Sequence, residues 1–173
     1  MHFFRSASLL FVLSLSLVAC NSDDDMQIST STEAPEWPEY EYTLSTGTPQ
    51  EQIDRFVALN NLDTTVSASG LVYTILDPGD QSSTAGGSTA IEVYYRGTVI
   101  DGRVFDRSGD TPSRLPLNNL ILAWKEAIPL LGRGGRQLLI VRPALGYGPG
   151  GNSGAQIRGS DVLLFDIQLE DFE

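Results

Sequence analysis

Residues 91–106 read IEVYYRGTVIDGRVFD and decide the fold of the C-terminal part of the chain. β-branched and aromatic side chains dominate both halves of this stretch, as they do in half-buried strands. Asp101 and Gly102 lie between the halves, and an Asp-Gly pair in that position is a strong signal for a tight turn. The stretch therefore predicts a strand at 91–95 and a hairpin over 98–105 that turns at Asp101 and Gly102.

Further strand-like runs flank this stretch. They lie at residues 71–76, 138–141 and 162–169. Between them, Asn118 or Asn119 can cap a helix whose apolar side chains share one side. Those side chains are Leu120, Ile121, Trp124 and Ile128. About five strands and one central helix predict an α+β domain at residues 70–173, which we expect to fold without the preceding segments.

The N-terminus has the features of a secretory signal. Arg5 is its one positively charged residue, and residues 9–18 form an apolar run interrupted only by Ser14 and Ser16. The run is shorter than the ~20 residues that a membrane-spanning helix needs. We therefore interpret residues 1–19 as a signal peptide.

The signal ends in small residues followed by Cys20, which is similar to the lipobox of bacterial lipoproteins. The resemblance implies cleavage before Cys20 and a lipid on its thiol. The alternative is ordinary cleavage that leaves a free cysteine. A lipid would anchor the chain to a membrane of the cell envelope, facing the periplasm. Ser22 after Asn21 favours the outer membrane in enteric-type bacteria.

Residues 20–47 are interpreted as an acidic, disordered tether. Residues 21–54 contain nine acidic side chains and no lysine or arginine, so the segment repels itself. Trp37, Tyr40 and Tyr42 leave open the alternative that it docks on the domain.

A short helix and a linker are predicted at residues 48–69. Thr48 and Glu51 have the spacing of a capping box, and Pro49 suits the first turn of a helix. Ile53, Phe56 and Val57 then follow at helical spacing.

The residue inventory excludes several kinds of chemistry. His2 is the only histidine and leaves with the signal peptide, and Cys20 is the only cysteine. A His/Cys metal site, a Ser-His-Asp triad and a Cys-His pair are therefore excluded. The net charge is −11, and it becomes −12 when Arg5 is lost. Such an acidic chain repels phosphate backbones, so we expect no nucleic-acid partner.

Five motifs in register resemble the FKBP-type peptidyl-prolyl isomerases, and the resemblance covers residues 70–173. In order, they read VYYRG at 93–97, DGRVFD at 101–106, LILAW at 120–124, ALGYG at 144–148 and LFDIQL at 164–169. The family implies an antiparallel sheet wrapped around a short central helix, with an apolar pocket between them. It implies neither a metal nor a cofactor, and the sequence carries no signal for an oligomeric state.

The resemblance also implies which residues carry the function, namely isomerisation of X-Pro bonds in unfolded or partly folded exported proteins. The catalytic residues would be Asp106, Tyr147 and Phe105. The substrate-binding residues would be Tyr95, Phe105, Leu115, Leu120, Ile121, Trp124, Tyr147, Ile157 and Phe165, with Trp124 as the floor of the pocket.

An apolar pocket is physically sufficient for this reaction. The X-Pro bond resists rotation with a barrier of ~18–20 kcal/mol, because amide resonance gives it double-bond character. Resonance also separates charge, so an apolar site disfavours the planar amide relative to the twisted one. No bond breaks and no proton shuttle is needed. The alternative is a chaperone-like, peptide-binding lipoprotein with weak or no catalysis.

Several positions depart from the family pattern. Leu115 stands where an aromatic residue is usual, Ala123 replaces a glycine, and Arg158 with Gly159 replaces a Pro-Pro pair. Thr111 occupies the position of an arginine that supports the aspartate, and Arg107 or Arg114 could substitute for it.

A competing motif lies at residues 146–151, which read GYGPGG and match the dinucleotide-binding pattern G-x-G-x-x-G. That motif needs a helix after it, whose N-terminus binds pyrophosphate. Residues 152–159 contain two more glycines and no helical periodicity, so we expect a flexible flap over the pocket instead.

Overall fold

The computed structural model describes residues 34–85 and 90–173. The predicted signal peptide 1–19, the lipid site Cys20 and tether residues 20–33 lie outside these described residues. The described part contains two helices and seven strands, joined by short 3₁₀ turns. In chain order they are α1 (Pro49–Leu59), β1 (Thr65–Val66), β2 (Val72–Asp77), β3 (Ala90–Val99), β4 (Val104–Arg107), β5 (Ser113–Pro116), α2 (Leu122–Ala127), β6 (Arg136–Val141) and β7 (Leu163–Phe172).

The seven strands form one antiparallel sheet, in which six follow the order β1-β2-β6-β7-β3-β4 and β5 pairs with β3 beside them. Strand β3 lies centrally and pairs along its length with β7 on one side. On its other side it pairs with β5 through its first residues and with β4 through its last residues. The hairpin turn at Asp101 and Gly102 is confirmed, and Gly102 takes the positive φ of +91° that such a turn requires.

Helix α2 packs on the concave face of the sheet and forms the first core with it. Trp124 and Ala127 of this helix are buried against sheet residues such as Val93, Leu139 and Ile167. The α+β architecture, with an antiparallel sheet around a short central helix, is confirmed. No helix within residues 34–85 and 90–173 has the length and apolar character needed to cross a membrane.

The predicted cap of α2 is wrong. Asn118 and Asn119 belong to a 3₁₀ turn, Leu117–Asn119, and Ile121 occupies the cap position without a side-chain hydrogen bond. The reason lies in packing. Leu117 is fully buried, and the extended backbone at Leu120 separates the turn that buries it from the helix proper.

A second core covers the convex face of the sheet. Helix α1 begins with the predicted capping box of Thr48 and Glu51, and it buries Ile53 and Phe56. These two side chains pack on apolar residues that alternate with those of the first core along the strands. The partner residues are Val72, Leu138, Ile140 and Leu164 in the sheet, Val162 directly before β7, and Ile100 at the hairpin.

The tether prediction is wrong for residues 34–47, which pack on the same convex face. The Tyr40 ring meets the Phe56 ring edge-on at 5.6 Å, and its hydroxyl donates to Asp166 Oδ1 at 2.9 Å. The Thr43 amide donates to the Ile100 carbonyl at 3.1 Å. The segment is ordered because its aromatic rings bury against the sheet, and those contacts outweigh the repulsion among its acidic side chains.

Candidate active site

A cavity of about 210 Å³ opens between α2 and the concave face of the sheet. Strands β3 and β7 supply one wall, the turn before α2 supplies another, and the loop after β6 closes a third side. The lining residues are Tyr95, Asp106, Leu115, Asn119, Leu120, Ile121, Trp124, Tyr147 and Phe165. Its walls are therefore mainly apolar and aromatic, with a single charged group.

Three aromatic rings meet edge to face and form the base of the cavity. The Trp124 ring lies 5.4 Å from the Tyr95 ring and 5.5 Å from the Phe165 ring, at interplanar angles of 82° and 89°. Phe105 meets the far side of Phe165 at 5.5 Å. Such T-shaped pairs contribute about 0.5–1.5 kcal/mol each beyond the burial of area. The rings therefore hold one another in a fixed arrangement.

Gly97 on β3 makes room for this arrangement. A Cβ atom at this position would lie 2.7 Å from Cζ of Phe105 and 3.2 Å from the Phe165 ring. Real Cβ atoms do not approach rings at the first of these distances, so any side chain here would displace Phe105. Gly97 thus supports the site although it does not line the cavity.

Asp106 follows Phe105 on β4 and lies at the mouth of the cavity. The Tyr95 hydroxyl donates to its Oδ2 at 3.0 Å, and the Arg107 backbone amide donates to its Oδ1 at 2.9 Å. The expected arginine support is not present. Arg107 contributes only its backbone, and the Arg114 guanidinium pairs with Glu92 and Glu173 instead.

Two tyrosine hydroxyls face the carboxylate. Burial raises the pKa of Tyr95, and the hydrogen bond to Asp106 and the negative charge of Asp106 raise it further. Burial also raises the pKa of Tyr147, and the negative charge of Asp106 adds to that effect. Both phenols therefore keep their protons at neutral pH. The Tyr95 hydroxyl already donates a hydrogen bond to Asp106. No protein acceptor is found for the Tyr147 hydroxyl among the described residues, so this hydroxyl is available to donate to a ligand.

The structure places most predicted site residues on the cavity, with two exceptions. Phe105 contacts the Phe165 ring without lining the cavity, and Ile157, which belongs to the loop after β6, turns its side chain into the first core. Asn119 lines the cavity but was not predicted, because its position favoured a helix cap. The signal that could have found it is its place directly before Leu120 and Ile121, which line the same wall.

The loop at residues 146–161 is held by its own contacts. Asn152 and Ile157 form a backbone bridge, and buried Asp161 accepts hydrogen bonds from Arg103 and Arg158. A Cβ at Gly159 would overlap the Pro149 carbonyl oxygen, which explains a glycine there. No helix follows the glycine-rich run within this described loop, as the lack of helical periodicity in the sequence predicted.

Comparison with known proteins agrees with this geometry. Residues 81–170 match the model of the FKBP-type peptidyl-prolyl cis-trans isomerases. The chain belongs to this family. It is 36% identical over 109 residues to the FKBP-type isomerase FkpA of Buchnera aphidicola subsp. Schizaphis graminum, an alignment that covers 62% of this chain and 42% of the relative. The chain spans about half of the length, or less, of the curated relatives it matches.

Solved structures of the family share the fold. The crystal structure of FkpA from Escherichia coli superposes with a TM-score of 0.65 at 31% identity, covering 72% of this chain and 57% of that one. A peptidyl-prolyl isomerase from Pseudomonas syringae pv. tomato superposes with a TM-score of 0.62 at 25% identity, covering 72% and 93%. The FKBP architecture found here is therefore that of its relatives.

Proposed function

We propose that this chain catalyses cis/trans isomerisation of X-Pro peptide bonds. The observation that carries the proposal is the cavity itself, in which Trp124, Tyr95 and Phe165 form an apolar base of fixed rings beside one carboxylate. Its volume of about 210 Å³ suits a proline ring with part of the adjoining backbone. The reaction breaks no bond, so it needs no proton relay in this cavity.

The proposed mechanism lowers the barrier by changing the surroundings of the amide. The proline ring packs on Trp124, and the apolar walls exclude water from the X-Pro bond. The planar amide is the more charge-separated form, so removing water favours the twisted form. The free Tyr147 hydroxyl donates to a substrate carbonyl, and Asp106, held by Tyr95, orients that end of the cavity. A reduction of ~8 kcal/mol in the barrier gives a rate factor near 10⁶.

We further propose that the clients are exported proteins in unfolded or partly folded states. Support comes from the sequence, in which a signal-like segment at 1–19 precedes Cys20 in a lipobox-like context. On this proposal the lipid on Cys20 anchors the chain to an envelope membrane, facing the periplasm. Mass spectrometry of the native protein tests it. A diacylglyceryl adduct at Cys20 is expected, and an unmodified thiol there would overturn the anchor.

The catalytic proposal is tested by NMR exchange on a proline-containing peptide. The wild-type chain should accelerate exchange, and Asp106→Ala and Tyr147→Phe should each slow it. Leu122→Ala is the matched control, because Leu122 begins α2 next to Ile121 but is 55% exposed and does not line the cavity. An unchanged rate in both site variants would overturn the site assignment. Peptide binding without acceleration would favour the chaperone-like alternative.

A further inference from the structure

Asp106 is the only charged residue among the described residues that line the cavity. The other lining residues are apolar or carry neutral hydroxyl and amide groups. Both carboxylate oxygens accept hydrogen bonds from neutral donors, one from the Tyr95 phenol and one from a backbone amide. These bonds hold the carboxylate in place and leave its negative charge uncompensated.

No cation pairs with this carboxylate among residues 34–85 and 90–173. The ion pairs of the described part join arginines to Asp166, Asp161, Glu92, Glu173 and Asp171. Arg107, the nearest arginine in sequence, lines a separate surface pocket together with Trp37. Successive side chains of a strand point to opposite faces, so its guanidinium is directed away from Asp106.

The exposure of Asp106 gives a ligand access to this charge. The residue is solvent-exposed at the cavity mouth, so a substrate side chain can reach it without first being buried. The chain as a whole is also acidic, with a net charge of −11. The local charge and the overall field therefore have the same sign, and both attract cationic segments.

We infer that the cavity prefers prolines that have a lysine or arginine as an immediate neighbour in the substrate. This inference rests on the proposed isomerase function and names the class of substrate that it favours. An exposed ion pair changes an equilibrium by about 1.4- to 5-fold, which sets the expected preference of a basic over a neutral neighbour. An acidic neighbour should be disfavoured by a similar factor.

The test uses two series of three peptides. Within a series the peptides differ only in one residue, which is Lys, Gln or Glu. That residue directly precedes the proline in the first series and directly follows it in the second. NMR exchange gives kcat/KM for each at about 10 mM and about 300 mM salt. The expected order is Lys over Gln over Glu in at least one series. The spread should shrink at high salt, because the Debye length falls from about 30 Å at 0.01 M to well under 10 Å.

Two variants distinguish the effect of the Asp106 charge from the effect of the overall electrostatic field of the chain. Asp106→Asn should bring the ratio of kcat/KM for the Lys peptide to kcat/KM for the Glu peptide closer to one, even though it also lowers both rates. Asp63→Asn removes the same charge from an exposed carboxylate before β1, outside the cavity, and should keep the ratio. If Asp106→Asn is too slow for kinetics, the dissociation constants of the Lys and Glu peptides, measured by NMR titration, give the same ratio.

The outcomes distinguish this inference from the proposal beneath it. Failure of the wild-type chain to accelerate any peptide would overturn the isomerase function. Equal acceleration of all peptides in both series would overturn only the charge preference. If the Lys-to-Glu ratio of kcat/KM falls equally in Asp63→Asn and Asp106→Asn, the preference comes from the overall electrostatic field of the chain, and the role of Asp106 is overturned.

Discussion

Phe56 provides the sharpest test of the second core. Its side chain is fully buried between α1 and the convex face of the sheet, and its ring meets Tyr40 edge-on at 5.6 Å. Replacing a buried phenylalanine by alanine costs about 3–5 kcal/mol, because burial is lost and a cavity remains. Typical domains are stable by only about 5–15 kcal/mol, so Phe56→Ala should remove a large part of the unfolding free energy.

The matched control is Leu59→Ala, which shortens a side chain of the same helix that is 50% exposed. Surface changes of this kind stay within about 0.5 kcal/mol. Urea unfolding followed by circular dichroism measures both variants, and kcat/KM below the transition checks the cavity on the opposite face. A loss in Phe56→Ala within about 0.5 kcal/mol of that in Leu59→Ala would refute the idea that α1 belongs to the core.

Three further predictions concern the site and its pH dependence. Trp124→Ala should cost about 3–5 kcal/mol in stability and slow isomerisation, since the ring is both core and cavity floor; urea unfolding and NMR exchange measure the two effects. Gly97→Ala should lower kcat/KM, because its Cβ would displace the Phe105 ring, and an unchanged value would show that the ring can move without consequence. Burial raises the pKa of Asp166 above its ordinary value, so its contribution to stability is greatest in acid and is lost as pH rises through the folded-state pKa. The unfolding free energy of the wild type relative to Asp166→Asn, measured in urea titrations, should therefore fall as the pH rises above about 4, the ordinary pKa of an aspartate, and a rise would contradict this sign.

The strands and most cavity residues could be predicted because their signals are local. The β-branched and aromatic side chains at 91–106 and the Asp-Gly turn predicted β3 and β4, and Thr48 with Glu51 predicted the start of α1. Strand β1 has two residues and β5 has four, which is too short for a period to show. Strand β4 is as short as β5 but was predicted, because the Asp-Gly turn before it marks its start. The missing elements are thus short strands without such a signal.

Other features depend on contacts between distant segments, which no local pattern encodes. Tyr40 donates to Asp166 across 126 positions, and this bond is one reason why an acidic segment without periodicity is ordered. The Asp106 carboxylate accepts a hydrogen bond from Tyr95 rather than from an arginine, because β3 and β4 pair side by side with Gly97 opposite Asp106. The support of the carboxylate therefore follows from strand register rather than from residue type.

Because residues 34–47 pack on the domain, they cannot serve as a spacer between a membrane and the active site. If Cys20 carries a lipid, the spacer ends where the docked segment starts, so it comprises the fourteen residues 20–33 rather than the twenty-eight residues 20–47. Fourteen residues reach at most about 50 Å, half of what the longer spacer would allow. The domain would then work in a thin layer next to the bilayer, and its clients would be proteins that pass through that layer.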